Sequence, residues 1–334
     1  MRSATRAGRC VAAFCMAALI GAVMSVTASA QVNPAGRAVA MTFDDLPMAN
    51  PKQHAQLLAV AAETNRRILA ALKRYRAPAT GFVNESHISA IGPGADRLLT
   101  GWNRGRYELA NHGFSHADAN ALDLPAIERE IIQGEASIGR LARKAGRSLR
   151  FFRFPFNHLG DTADKQAGAM GLLRARGYQL AASTIDTSDH VFDKAFSRAL
   201  DVRDGGMQTK IKTAYLEYTA KQIAYYATLN RHVLGYEPPA IMLLHINRLN
   251  AETLDAQLAL FRRAGYRFVS LAEAQADPAY AQAPRLPTRF GPMWGYRWAR
   301  DRGIRVNGSL EQEPPAWVAD YGAAIAVELP AAIP

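Results

Sequence analysis

Residues 38–45 read Ala38-Val39-Ala40-Met41-Thr42-Phe43-Asp44-Asp45, an apolar run that closes on two adjacent carboxylates. A short apolar run bounded by polar residues is the pattern of a buried strand, so Ala38 to Phe43 is expected to deliver Asp44 and Asp45 at a strand's carboxyl end. Residues 53–75 then place Leu57, Leu58, Ala61, Ile68, Leu69 and Leu72 on one face at three-and-four spacing, a helix. Pro78 precedes a second strand, Ala79 to Val83, and a short helix around Asp96–Trp102 leads to a third, Tyr107 to Ala110, ending at Asn111-His112. Strands that alternate with helices in this way are parallel and joined by crossovers.

The alternation continues outward. Asp123 is a good N-cap, with Pro125 tolerated in the first turn, for a helix that turns Ile127, Ile131, Ile138 and Leu141 inward and stops near Gly146. Strand Leu149 to Arg153, a helix capped by Asp161 and ending at Gly177, and strand Tyr178 to Ile185 come next. A long helical stretch from Thr209 to Leu234 breaks the rhythm before strand Ala240 to Leu244, a helix after Asn250 and strand Tyr266 to Val269. Six or seven such strands make a barrel or a doubly wound sheet. After Ala276 the chain is rich in proline and contains Trp294, Trp298 and Trp317 without clear periodicity, which reads as an extended tail wrapped over the domain.

The first thirty residues have another character. Arg2, Arg6 and Arg9 precede an apolar run from Val11 to Val26, and Ala28-Ser29-Ala30 supplies small residues for cleavage. The run is shorter than the ~20 residues a comfortable membrane span needs. A signal peptide over 1–30, with export to the periplasm or medium after cleavage near Ala30, is therefore expected, and no stable span thereafter. Both cysteines, Cys10 and Cys15, fall inside it, so the mature chain has only His, Asp and Glu to offer a metal. Loss of the three arginines lowers the formal charge from +11 to +8. The basic residues are dispersed and accompany no recognition motif, which argues against nucleic acid; acidic envelope polymers are partners such a charge would attract, while most of these residues read as a solvated basic surface.

Polar residues with ligand chemistry sit where strands end, and in parallel α/β folds those ends converge on one mouth. His112 and His116 are four apart, so on a helical turn both imidazoles face one ion, and a carboxylate completes the three protein ligands of an open catalytic site. Of Asp44 and Asp45, one can bind metal while the other accepts a proton, as metal-assisted hydrolysis requires. Asn84, just after the second strand, is expected to reach the same mouth. His54, His87 and His232 read as surface or structural residues, whereas His158 and His190 are placed to border the cleft.

Thr42-Phe43-Asp44-Asp45, His112-Gly-Phe-Ser-His116, Arg153-Phe-Pro155-Phe156, Asp186-Thr-Ser-Asp189 and Leu243-Leu-His245 resemble the five ordered motifs of the polysaccharide deacetylase (NodB-homology) family, or carbohydrate esterase family 4. The resemblance implies a distorted (β/α) barrel over 36–276, with a helical insertion at about 192–236 and an extended C-terminal tail at 277–334. It implies that Asp45, His112 and His116 hold a divalent metal, usually zinc, with cobalt, nickel or manganese as alternatives. Asp44 would be the general base and Arg153 would orient it. The Phe156 backbone N–H would face the developing oxyanion, His245 would be the general acid oriented by Asp189, and Leu243 would line the acetyl pocket. The implied substrate is an N-acetylated glycan.

Two positions depart from the family pattern: Gly113 replaces the usual Ser or Thr after the first His, and His190 replaces the usual Trp of the fourth motif. These departures, with the long insertion and its Tyr215, Tyr218, Tyr225 and Tyr226, keep two alternatives in view. One is a metal-dependent amidase acting on a small non-sugar amide, and the other is a non-catalytic carbohydrate-binding relative. Retention of Asp44, Asp45, His112, His116 and His245 weighs against the second.

Overall fold

Strand β1, Ala38–Leu46, is buried along its whole length and is the spine of the structure. In the computed structural model, residues 36–51 and 56–324 are described. The expected signal segment, residues 53–55 of the expected first helix and the chain after residue 324 lie outside the described residues. β1 pairs in parallel with β2 (Ala79–Val83) on one side and β6 (Ala240–His245) on the other, in register Thr42 with Thr80 and Thr42 with Leu243. Beyond β2 lie β3 (Tyr107–Asn111), β4 (Phe151–Phe152) and β5 (Gln179–Leu180), while β7 (Arg267–Val269) pairs with the start of β1. An isolated bridge between Ile185 and Met242 brings the far edge of this parallel sheet round to β6. The result is the curled, distorted α/β barrel that the motifs imply.

Helices pack around the outside: α1 (Leu57–Tyr75), α2 (Glu85–Ile91), α3 (Leu124–Gln133), α4 (Ala136–Lys144) and α5 (Ala163–Ala175), then α6 (Asp189–Asp201) and α7 (Gly205–Leu234), then α8 (Arg248–Arg263) and the short α9 (Leu271–Gln275). Their starts are set locally. Asp123 accepts from the Ala126 N–H, Asp204 from Met207, and Asn247 from Asn250, each satisfying a donor that the helix itself leaves free. The core runs from Met41 and Phe43 of β1 through Phe82, Trp102 and Phe152 to Leu258 and Phe261 of α8. A smaller core, with Phe192, Phe196, Ile211, Tyr215 and Tyr218, holds α6 and α7 to Leu249.

Several expectations are corrected. Leu58 of α1 is exposed rather than on the buried face, which is carried by Ala61, Thr64, Asn65, Ile68 and Leu72. The helix expected from Asp123 to Gly146 is two helices, α3 and α4. Gly134 lies so close to the loop after β3 that an added Cβ would fall 2.4 Å from Asn111 Oδ1, and the chain breaks there to allow the approach. Thr162, not Asp161, caps α5; the Asp161 carboxylate pairs with Lys165 at 3.1 Å instead. The strands expected over 149–153 and 178–185 pair regularly only at Phe151–Phe152 and Gln179–Leu180. The stretch after Ala276 contains two helices, α10 (Trp294–Asp301) and α11 (Ala316–Ala323), and Trp294 and Trp298 pack into the main core.

Candidate active site

The carboxyl end of β1 divides its two acids between two tasks. The Asp44 carboxylate is almost fully buried and accepts from Arg153 Nη1 at 2.7 Å. Arg153 is itself buried, donating also to Thr42 Oγ1 (2.8 Å) and the Ala182 carbonyl (2.7 Å), with its guanidinium carbon 4.3 Å from the Phe82 ring centre. A buried charge pair is tolerated only with such additional partners. At Asp45 the backbone turns left-handed (φ 66°), which aims the second carboxylate elsewhere. There Oδ1 lies 3.7 Å from His112 Nε2 and 3.3 Å from His116 Nε2.

The His112–His116 segment is a loop, not the helical turn that the spacing predicts. The Glu130 carboxylate accepts from the Phe114 and Ser115 N–H groups, while the Gly113 and Phe114 carbonyls accept from Glu85 and Ser86. Loop geometry brings the imidazoles together all the same, with ring centres 5.4 Å apart. His112 Nδ1 lies 2.7 Å from the Arg153 carbonyl, which fixes the tautomer that leaves Nε2 free toward Asp45. Burial lowers the His116 pKa despite the neighbouring Asp45 charge, favouring the neutral imidazole a metal needs. At Asp45 burial is the strongest influence and works against the charge. His116, His112, His245 and His87 together outweigh it and hold the carboxyl below the usual range.

The residues fit a divalent cation. One ligand atom from each of Asp45, His112 and His116 lies within 4.8 Å of the others, and the buried Asp45 Oδ1 has no hydrogen-bond partner in the protein. A buried carboxylate oxygen left in this way is costly unless something positive meets it.

Facing this triad across the mouth is His245, at the end of β6. Its Nδ1 lies 2.6 Å from Asp189 Oδ1. Asp189, fully buried at the start of α6, also accepts from the His245 N–H, Asn247 and Asn250. Asn250 is braced in turn by the Tyr215 hydroxyl of α7 at 3.0 Å. Burial alone would lower the His245 pKa, but the charge of Asp189 and the hydrogen bond to it, with Asp45 and Asp44 behind, raise it to about 10. The same pairing keeps Asp189 below the carboxylate range despite burial.

These groups share one cavity of about 370 Å³, lined by Asp44, Asp45, His112, His116, Phe156, His190, Leu243 and His245 among others. Phe156 stands at its edge with left-handed backbone (φ 57°) and its ring 4.7 Å from that of His116. Leu243 lines the wall, and His190 occupies the neighbourhood of His245, ring centres 6.1 Å apart. Tyr215, Tyr218 and Tyr226 of α7 are buried.

One sequence expectation needs correction here. Asn84 is fully buried and does not line the cavity. With its amide oriented as its neighbours require, it accepts from the His116 N–H (3.0 Å) and donates to the Phe114 carbonyl (2.7 Å), so it braces the loop that carries His112 and His116 rather than facing the mouth. His87, expected as a surface or structural residue, is half-buried on α2 with its ring stacked 6.4 Å from His116. Asn84 at an N-cap followed by Glu85 is a helix-start signal that could have revealed α2 and with it the placement of His87. Gly291 and Met293 also line the cavity, contributed by a stretch that sequence reading placed in the tail.

No curated protein matches the chain. Among solved structures it is similar to the chitin deacetylase of the fungal pathogen Colletotrichum lindemuthianum, at 19% identity and a TM-score of 0.50, over 74% of this chain and 88% of that one. It is also similar to a peptidoglycan deacetylase from Bacillus subtilis (19% identity, 73% and 93% covered, TM-score 0.44). A third is a CE4 family pseudoenzyme from Bacillus anthracis (16% identity, 72% and 66% covered, TM-score 0.47). The first of these likenesses speaks for the fold alone. The sequence of residues 31–175, which includes Asp44, Asp45, His112, His116, Arg153 and Phe156, matches the family model for polysaccharide deacetylases.

Proposed function

We propose that this chain is an exported, metal-dependent hydrolase that removes N-acetyl groups from an amino-sugar polymer such as peptidoglycan, a chitin-like chain or an exopolysaccharide. One observation carries the reading: a ligand triad, an Arg-paired carboxylate and an Asp-paired histidine converge on one cavity. A binding protein has no need of both a proton acceptor and a proton donor.

Asp45, His112 and His116 hold the ion, zinc being the expected metal, which when bound supplies Lewis-acid polarisation of the acetamide carbonyl and activation of water. Asp44 takes the proton of the attacking water, its carboxylate fixed by Arg153 so that no reorientation is needed at the moment of reaction. The Phe156 backbone N–H donates to the developing oxyanion. Leu243 offers an apolar wall to the acetyl methyl group. His245, carrying its proton at neutral pH through its pairing with Asp189, protonates the departing amine, leaving acetate and a free amino sugar.

The test is metal content of the purified protein together with acetate release from N-acetylglucosamine oligomers and peptidoglycan. Activity abolished by chelator is expected, with metal lost in His116→Ala and metal retained but turnover lost in Asp44→Asn. A protein that binds glycans without holding metal would overturn the enzymatic reading, and release from small amides alone would favour an amidase. Export is tested by the mass of the mature protein in the periplasm or medium, expected to begin at Gln31.

A further inference from the structure

The segment between Thr288 and Met293 lies beyond the last of the family's motifs, yet it closes one side of the cavity. Gly291 and Met293 line it directly. The contact at Gly291 is close: a Cβ there would stand 1.7 Å from the Phe156 carbonyl oxygen and 3.0 Å from Asn157 Cβ. The segment is also tied down on both sides. Asn120 Nδ2 donates to the Arg289 carbonyl at 3.3 Å, and Trp294 N–H donates to the Ser183 carbonyl at 2.8 Å. The buried Arg297 donates to both the Pro292 carbonyl (3.0 Å) and the Asn157 carbonyl (2.6 Å), clamping the segment to the loop that carries Phe156. Wall and catalytic loop are thus one construction.

Two large aromatic rings are left uncovered at this junction. Phe156 is 55% exposed and Phe290, one residue from the cavity wall, is 76% exposed. A phenylalanine so exposed on a segment so firmly fastened does nothing for the core, and the apolar face of a pyranose ring is a surface that aromatic rings cover well. We propose that the 288–293 segment is a substrate-binding wall, and that Phe290, with Phe156, is a stacking platform for sugar rings flanking the one that is deacetylated. This rests on the reading of the substrate as a glycan and adds a chain-length preference, with an origin outside the motif-bearing core. The ligand class is an amino-sugar chain of several rings.

The test compares wild type, Phe290→Ala and Phe290→Trp on N-acetylglucosamine oligomers of increasing length, with acetate release and calorimetric binding measured in parallel. Phe290 is 76% exposed and belongs to none of the hydrophobic core clusters, so the alanine variant is expected to fold. For the longest oligomer Phe290→Ala should raise KM and weaken binding about three- to tenfold, as expected for one aromatic contact. The loss should shrink toward the shortest oligomer, and Phe290→Trp should restore binding. An unchanged chain-length profile in Phe290→Ala, with wild-type acetate release intact, overturns the platform and leaves the deacetylase reading standing. Absence of acetate release with length-dependent binding that falls in Phe290→Ala supports the platform and overturns the catalytic reading. A wild type that neither binds nor deacetylates the oligomers overturns both.

Discussion

Replacing Asp189 by Asn removes the charge that keeps His245 protonated. In the folded protein His245 sits near 10 against an ordinary 6.5, although burial by itself pushes it down. At about 1.4 kcal/mol for each tenfold change in proton affinity, the pairing favours the protonated ring by on the order of a few kcal/mol. The sign of the linkage follows. A histidine whose folded pKa is raised contributes stability that is fully present below its unfolded value near 6.5 and is lost as the pH climbs through about 10. In Asp189→Asn burial remains while the strongest attraction and its hydrogen bond are gone, leaving only the weaker pull of Asp45 and Asp44, so the His245 pKa should fall well below its wild-type value and the alkaline loss of stability should flatten. The assay is NMR titration of the His245 ring in metal-free protein, where no dication disturbs the field, alongside thermal melts between pH 6 and 10. Turnover in the metal-loaded variant should fall roughly a hundredfold, the low end for loss of a general acid. A wild-type His245 that titrates at its ordinary value, or a value unmoved in Asp189→Asn, would refute the reasoning.

Other outcomes follow from the same geometry. Arg153→Met leaves Asp44 buried without its partner and should destabilise the protein by about 3–5 kcal/mol, read from denaturant unfolding, with turnover lost. Burial, partly offset by the Leu249 N–H and reinforced by Asp189, pushes the Asp193 carboxyl up to about 7. Between its ordinary 3.8 and 7 the folded protein keeps a proton that the unfolded chain has lost, so stability falls as pH rises through that window. Asp193→Asn should flatten this fall in melts taken from pH 4 to 8. His87→Ala removes the ring stacked on His116 and should weaken metal affinity about tenfold without abolishing it, measured by competition with a chromogenic chelator.

How much of this could be read from the residues differs from element to element. β1, β2 and β6 were legible because they are continuous apolar runs buried on both faces, and the chemistry at their ends followed from parallel topology. β4 and β5 were overextended because the sheet curls at that edge, and curvature leaves no trace in hydrophobic period. The break at Gly134 depends on a tertiary approach to Asn111, which no local pattern encodes. The histidine pair was found by its spacing, although the spacing suggested a helical turn and the structure has a loop stapled by Glu130. What spacing could not supply were the supporting residues: Asn84 behind His116, Asn247 and Asn250 behind Asp189, and Gly291 and Met293 in the wall. Each acts through a contact between segments remote in the chain.

The left-handed backbone of the site separates two kinds of position that would otherwise look alike to a protein engineer. Asp45, His116 and Phe156 adopt positive φ within the cavity lining, whereas Arg76 and Arg203 adopt it at helix ends away from the cavity. Each such residue costs on the order of 1 kcal/mol relative to glycine. At Arg76 and Arg203 glycine can recover that energy and leave the chemistry untouched. At Asp45, His116 and Phe156 glycine would relax the backbone and delete the ligand or the ring, or free the loop that presents the N–H. Heat tolerance can therefore be raised at the periphery of this barrel, while its mouth has to stay strained to keep its groups aimed.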